Sequence, residues 1–237
     1  MAVFDLHVHT IRGSSDSSLT PEQLVSKATH LGLSGVCLTE HSGGWEQSDL
    51  DRAFKDVGFA VFRALEVDTD MGHILVFGMH HYVAGMHRAS DLRRAVDNAG
   101  GVMISAHPFR NLFNRPPYNT NLLFPSGRGT PESADAASHH PLFKLVDDIE
   151  VVNGSNTQEE NDFASEVAAS LGFIGIGGSD VHSAHGLGRG VTIFDHDIQT
   201  EPDLVSALRE KLYTPGIRTG SGEIQMVTGS PPTRGLI

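Results

Sequence analysis

Three observations predict an α/β fold, a distorted (β/α)7 barrel of the TIM kind. Short apolar runs alternate with segments of helical period, the pattern of parallel β/α units. Polar side chains capable of chemistry fall at the C-terminal ends of those runs, where β/α barrels place their sites. The runs number about seven, so a regular eight-fold barrel is not required.

Residues 3–9 read as the first strand, apolar until His7 and His9. Side chains i and i+2 of a strand share a face, so these two imidazoles project together. Residues 11–18 form a polar loop. Thr20-Pro21-Glu22-Gln23 marks a helix start, with Thr20 as N-cap, Pro21 at the first helical position and Gln23 three residues past the cap. Leu24, Val25, Ala28 and Leu31 supply its apolar stripe, and Gly32 ends it. A short buried strand over 34–39 leads to Glu40-His41. A small helix over 50–55 follows, then strands over 59–67 and 71–77 joined by a turn at Asp68-Thr69-Asp70.

A helix over 90–99 has Ser90 as cap and Gly100-Gly101 as stop. Residues 102–106 form a strand that delivers His107-Pro108. Residues 110–142 show no clear period, the mark of a lid or binding loop. Further strands run over 149–153, 173–177 and 190–194, with helices over 158–171 and 202–212, the last capped by Glu201 or Thr200. The chain reads as one barrel domain over 1–237, with the long loop at about 110–142 and a loose C-terminal tail carrying Pro231-Pro232.

With 237 residues the chain can bury a substantial apolar core. Lys plus Arg number 17 against 29 Asp plus Glu, a net charge of −12. That balance argues against a polyanionic partner such as duplex DNA. A small phosphorylated substrate stays open, because bound divalent cations reverse the local sign. Cys37 is the only cysteine, so no intrachain disulfide or thiolate metal cluster is expected. No signal-type start and no apolar stretch near the ~20 residues of a membrane span are seen, so a soluble cytoplasmic protein is expected. The 14 histidines are the most specific hint in the composition.

The strand-end donors are His7, His9, Asp16, His41, Glu66, His73, His107, Asp180 and His182. Nitrogen and oxygen donors without cysteine suit zinc, manganese or ferrous iron. Nine exceed the needs of one ion, so two to three divalent metal ions are expected. Such a centre suits phosphate ester hydrolysis. A single histidine at a strand end is commonly a hydrogen-bonded structural residue; the joint pattern argues for ligands. Asp16 lies in a Ser-rich loop and could instead cap a turn. Glu150 and Asn153 end a strand near the site. Arg189, in Gly-Leu-Gly-Arg-Gly, is either a turn residue or a second phosphate contact. His80, His81, His87, His139, His140, His185 and His196 read as solvated or lid residues.

Asp-Leu-His-Val-His-Thr, Leu-Thr-Glu-His, Leu-Glu-Val, Gly-His-Ile-Leu-Val-Phe-Gly, Ala-His-Pro-Phe-Arg and Gly-Ser-Asp-Val-His follow one another along the chain. In that order they resemble the PHP (polymerase and histidinol phosphatase) family, over residues 3 to about 194. The resemblance implies a metal-dependent phosphoesterase acting on a small phosphomonoester, nucleotide or cyclic phosphate through a metal-bound hydroxide. It implies a first ion held by His7, His9, Glu66 and Asp180, and a second held by Glu66, His73 and His107. A third would be held by Asp16, His41 and His182. Glu40 stands where the family usually has an aspartate and is expected to support the ligands from behind. Arg110, in His-Pro-x-Arg, is expected to take phosphate oxygens bidentately. Alternative readings are a nuclease acting on nucleic acid ends, a catalytically silent PHP-like module, and C–N bond hydrolysis by the same centre.

Overall fold

The computed structural model describes residues 1–125 and 129–227. The elements run β1 Ala2–Val8, α1 Pro21–Leu31, β2 Gly35–Glu40, α2 Gln47–Ala53, β3 Ala60–Thr69, β4 Gly72–Phe77, α3 Ala89–Ala99 and β5 Val102–Ser105. They continue with α4 Ala134–Ser138, a 3-10 turn Pro141–Lys144, β6 Asp148–Asn153, α5 Gln158–Leu171, β7 Ile176–Gly178, β8 Gly190–Phe194, α6 Glu201–Glu210, β9 Tyr213–Arg218 and β10 Ile224–Met226.

Among the described residues the strands form one sheet in the order β10-β9-β8-β1-β2-β3-β4-β5-β6-β7. It curls until the chain leaving β7 returns to β1. Asp180 N donates to His7 O at 2.8 Å, and His9 N donates to Val181 O at 3.1 Å. The result is the distorted TIM-like barrel. β1, β2 and β3 are parallel neighbours, as are β5, β6 and β7. β4 runs antiparallel to both β3 and β5. A tight turn permits no other pairing, so the parallel series is broken at this hairpin. Closure also needs β7 and β8 to approach nearly to contact. A Cβ on Gly177 would stand 2.2 Å from Val191 O, and one on Gly190 would stand 2.1 Å from Gly178 O. Only glycine fits at either place.

Local signals set most boundaries. Thr20 and Gln23 form the capping box of α1, and Gly32 ends the helix at φ 63°. Thr200, rather than Glu201, caps α6. Four expectations shift, among them the strand expected over 173–177, which is β7 at Ile176–Gly178. α2 lies earlier than 50–55, at Gln47–Ala53. β3 continues through Thr69, so the hairpin turn shrinks to Asp70-Met71. α3 begins at Ala89, because Asp70 Oδ1 accepts from Ala89 N at 2.9 Å and does the capping from the hairpin turn. Ser90 lies inside the helix.

The 110–142 loop contains α4. Residues 213–227, which lack a clear strand pattern, form β9, which pairs with β8, and β10, which pairs with β9. Pro231-Pro232 lies outside the described residues. No described helix is long and apolar enough to cross a membrane.

The apolar core falls into three groups of side chains. One packs α3 and α5 against β4, β5 and β6 through Leu92, Val96, Val167 and Ile149. A second joins β1, β4 and α6 through Phe4, Phe77 and Leu204. The third seats α1 on β1 and β2 through Leu24, Ala28 and Val36. Burial of these faces on both sides of the sheet leaves the C-terminal strand ends as the place where polar groups gather. Asp5 bolts that end together: its carboxylate accepts from Ser179 N at 2.9 Å and from Gly188 N at 2.8 Å, tying β1 to the segment that carries Asp180.

Candidate metal centre

Glu66, near the end of β3, is the hub. Its Oε1 lies 3.0 Å from His73 Nδ1 and 3.0 Å from His107 Nε2. Its Oε2 lies 3.2 Å from His7 Nε2, 3.1 Å from His9 Nε2 and 3.4 Å from His41 Nε2. Asp180 Oδ1 lies 3.4 Å from both His7 Nε2 and His9 Nε2. Three sets of donor atoms converge, each set within 4.8 Å of one another: His7, His9, Glu66 and Asp180; Glu66, His73 and His107; and His9, His41 and His182. Glu66 and His9 each belong to two sets.

Asp16 stands at the edge of this arrangement. Its side chain is 62% exposed, its Oδ2 lies 3.3 Å from His182 Nε2, and it belongs to none of the three sets. The third set contains His9 in its place.

The surrounding residues fix which nitrogen of each ring faces the centre. Glu150 Oε1 lies 3.1 Å from His7 Nδ1. An ionised carboxylate only accepts, so His7 carries its proton on Nδ1 and turns the Nε2 lone pair inward. Glu150 Oε2 also accepts from His107 N at 2.8 Å and from Asn153 Nδ2 at 2.9 Å. Gly178 makes room for this contact, since a Cβ there would strike His7 Cβ at 2.4 Å.

Glu40 does the same for His9 through one hydroxyl. Its Oε2 accepts from Ser14 Oγ at 2.7 Å, and Ser14 Oγ lies 2.9 Å from His9 Nδ1. Trp45 Nε1 donates to the other Glu40 oxygen at 3.0 Å. Ser14 Oγ therefore accepts from the His9 Nδ1–H, and His9 Nε2 is left as an inward lone pair. In the sequence Ser14 is one residue of a polar loop, and nothing local marks it.

The centre fits a cation. His9 Nε2 is buried and has no hydrogen-bond partner among the described residues, nor does His41 Nδ1. Inward lone pairs of His7 and His9 face the oxygens of Glu66 and Asp180. Acceptors set against acceptors in a buried space need positive charge between them. Without a metal that charge is a proton. Burial alone would lower the pKa of His7, yet the fields of Asp180, Glu150 and Glu66 hold it well above the ordinary value. Burial likewise opposes protonation of His9, but the nearby carboxylates of Asp180 and Glu66, 3.4 and 3.1 Å from its Nε2, raise it to about 9. Burial would raise Glu66 and Asp180, but the His7 charge dominates and holds both well below the usual carboxylate range. His107 is lowered, by burial first and then by the Arg110 charge.

Two of the donor positions carry backbone strain. His107 has φ 28° and Asp180 has φ 53°, left-handed values that cost a non-glycine residue energy. Both sit where a strand end turns its side chain into the centre.

Arg110 reaches the same place. Its Nη2 donates to Asp180 Oδ2 and, at 2.8 Å, to Asn153 Oδ1. Its Nε donates to Asn156 Oδ1 at 3.0 Å. Nε and Nη2 are thus already engaged, which leaves no free edge for the expected bidentate grip on phosphate, and Nη1 has no hydrogen bond among the described residues. His80 departs from the solvated reading: its Nε2 pairs with Glu201 Oε1 at 2.6 Å and ties β4 to α6. His139 Nδ1 bonds to Asp135 O within α4, and His140 caps the 3-10 turn.

Two cavities open from the centre. One, of about 280 Å³, is lined by His73, His107, Arg110, Thr120 and Leu123. The other, of about 880 Å³, is lined by Asp180, His182, Arg189 and Gly154.

Fold and donor cluster together define a class, a metal-dependent hydrolase on a distorted α/β barrel. The PHP domain family matches residues 5–124, and the PHP-associated family matches residues 158–211, so the chain belongs to the PHP family. Three solved structures share the fold. PsfC from Pseudomonas syringae PB-5123 is 18% identical with a TM-score of 0.60, over 86% of this chain and 88% of that one. A candidate metal-dependent phosphoesterase from Bifidobacterium adolescentis ATCC 15703 is 17% identical with a TM-score of 0.56, over 86% of this chain and 95% of that one. An amidohydrolase from Chromobacterium violaceum, holding sulfate and no metal, is 16% identical with a TM-score of 0.57, over 93% of this chain and 99% of that one. A search of the curated proteins finds no match to this chain.

Proposed function

We propose that this protein hydrolyses phosphate esters of small molecules, using two or three divalent ions, manganese, zinc or ferrous iron. The observation that carries the reading is the pairing of Arg110 with the donor sets. A guanidinium stands against Asp180, beside buried groups that demand cations. His7, His9, Glu66 and Asp180 would hold one ion, Glu66, His73 and His107 a second, and His9, His41 and His182 a third, with Asp16 at its margin. Such ions supply a nucleophilic water at neutral pH and neutralise phosphoryl oxygens.

The chain's own residues do the rest. Glu150, and Glu40 acting through Ser14, keep the ligand rings in the metal-binding tautomer. Arg110 adds to the His7 charge in keeping Asp180 ionised and offers Nη1 to a phosphoryl oxygen. The sulfate held by the Chromobacterium violaceum structure is a tetrahedral dianion like phosphate, which supports this substrate class. The name of that same neighbour supports a second reading, C–N bond hydrolysis. The net charge of −12 disfavours a nucleic acid substrate.

The test is release of inorganic phosphate from p-nitrophenyl phosphate by protein purified without chelator. Turnover is expected, with loss on EDTA treatment and return on adding manganese. No release under any metal, together with ammonia release from an amide panel, would move the assignment to the second reading. Arg110→Ala should raise KM for the same ester about 10- to 100-fold, the worth of one charge-assisted hydrogen bond. An unchanged KM would remove Arg110 from phosphate binding.

A further inference from the structure

We propose that Arg189 binds a second anionic group of the substrate. The ester cleaved here would then be one whose remainder carries a further phosphate or carboxylate. The inference rests on the phosphoesterase reading and names the class of ester.

The larger cavity is the place. It opens from Asp180 and His182 and measures about 880 Å³, far more than a bare phosphoryl group needs. Its charge is the opposite of the chain's. The protein carries a net −12, yet Asp180 is the only carboxylate among the residues lining this groove, and it is buried and paired with Arg110. Two arginines and two histidines also line the groove.

The two arginines differ. Arg218 is consumed by the fold: its Nε donates to Gly188 O at 3.2 Å, Nη1 to Gly222 O at 2.9 Å and Nη2 to Leu31 O at 3.4 Å. Arg189 is exposed, and its guanidinium makes no hydrogen bond or ion pair with any described residue. A turn role requires only its backbone, whose N–H donates to Gly186 O at 3.0 Å. The side chain is thus left for something else.

The base of its side chain is placed relative to the centre. The Arg189 Cβ packs on Gly154, where a Cβ would meet it at 3.1 Å. Gly154 belongs to the turn after β6 whose Asn153 and Asn156 hold Arg110 on the other side. One turn therefore separates two guanidinium groups. The first lies against the donor cluster, the second in a positive groove leading away from it. A phosphoryl group at the centre would leave the rest of its molecule in that groove, under Arg189.

The experiment compares phenyl phosphate, 4-carboxyphenyl phosphate and 1,4-phenylene bisphosphate on manganese-supplied wild type, Arg189→Ala and Arg189→Lys. Each wild-type to variant ratio cancels differences in leaving group. Arg189→Ala is expected to lower kcat/KM about tenfold or more for one or both doubly charged esters relative to phenyl phosphate. Whichever ester responds tells a carboxylate from a second phosphate. Arg189→Lys should recover part of the loss. Calorimetry with non-hydrolysable 4-carboxyphenylphosphonate should show the same weakening in Arg189→Ala. Equal losses on all three esters would leave Arg189 a structural turn residue and overturn the proposal while phosphoesterase activity stands. Absence of hydrolysis of every ester by wild type would overturn both.

Discussion

Glu66→Ala should strip two of the three donor sets at once. The protein is expected to retain at most one equivalent of metal, held by His9, His41 and His182, the set that lacks Glu66. Turnover should fall by far more than the roughly 10- to 100-fold that follows loss of an outer-shell partner. The argument is geometric. The two Glu66 oxygens serve different partners, Oε1 facing His73 and His107, and Oε2 facing His7, His9 and His41. Among the described residues no other carboxylate belongs to two of the sets. Glu66→Gln keeps the shape and one acceptor but no charge, so it should lose metal nearly as completely. Metal analysis on both variants, with circular dichroism to confirm folding, decides the matter. Two or more equivalents retained in Glu66→Ala would mean that the sets do not hold the ions.

What could be read from the sequence was whatever is local. Strand alternation puts His7 and His9 on one face, and the strand-end positions of Glu66, His107 and Asp180 follow from apolar runs that stop there. Thr20 and Gln23 announce a helix start within four residues. What could not be read depends on distant groups. Asp70 caps α3 from the other end of a hairpin and loop, so Ser90 looked like the cap. β9 contains Pro215 and Gly216, residues that weaken any strand pattern, and it exists because β8 offers an edge. Ser14 acquires its role only when Glu40 arrives from β2. The division of donors among sets is also tertiary. It follows from the closure of β7 onto β1, which the glycine contact at Gly177 and Gly190 permits. That closure is why Asp16 lies at the margin and His9 in the middle.

The second large effect is on pH, and it has opposite signs with and without metal. In metal-free protein His9 titrates at about 9, raised above the unfolded value of 6.5. A histidine raised on folding contributes stability that is fully present below 6.5 and is lost as pH climbs through 9. For His9 the shift amounts to about 3 kcal/mol, and His7 shifts in the same direction. The unfolding free energy of chelated protein should therefore fall between pH 6.5 and 9. Metal reverses this, because a ligand nitrogen must shed its proton to bind. Because the folded protein raises both His7 and His9, apparent manganese affinity should rise with pH over that window, by up to about tenfold per pH unit for each proton still held. Saturated protein should accordingly hold or gain stability where chelated protein loses it. Urea unfolding at pH 6.5, 7.5 and 8.5, with manganese and with EDTA, reads both slopes. Calorimetry in two buffers of different ionisation enthalpy counts the protons released. Parallel slopes and no proton release would mean that His7 and His9 meet their carboxylates as ordinary ion pairs, with no cation between them.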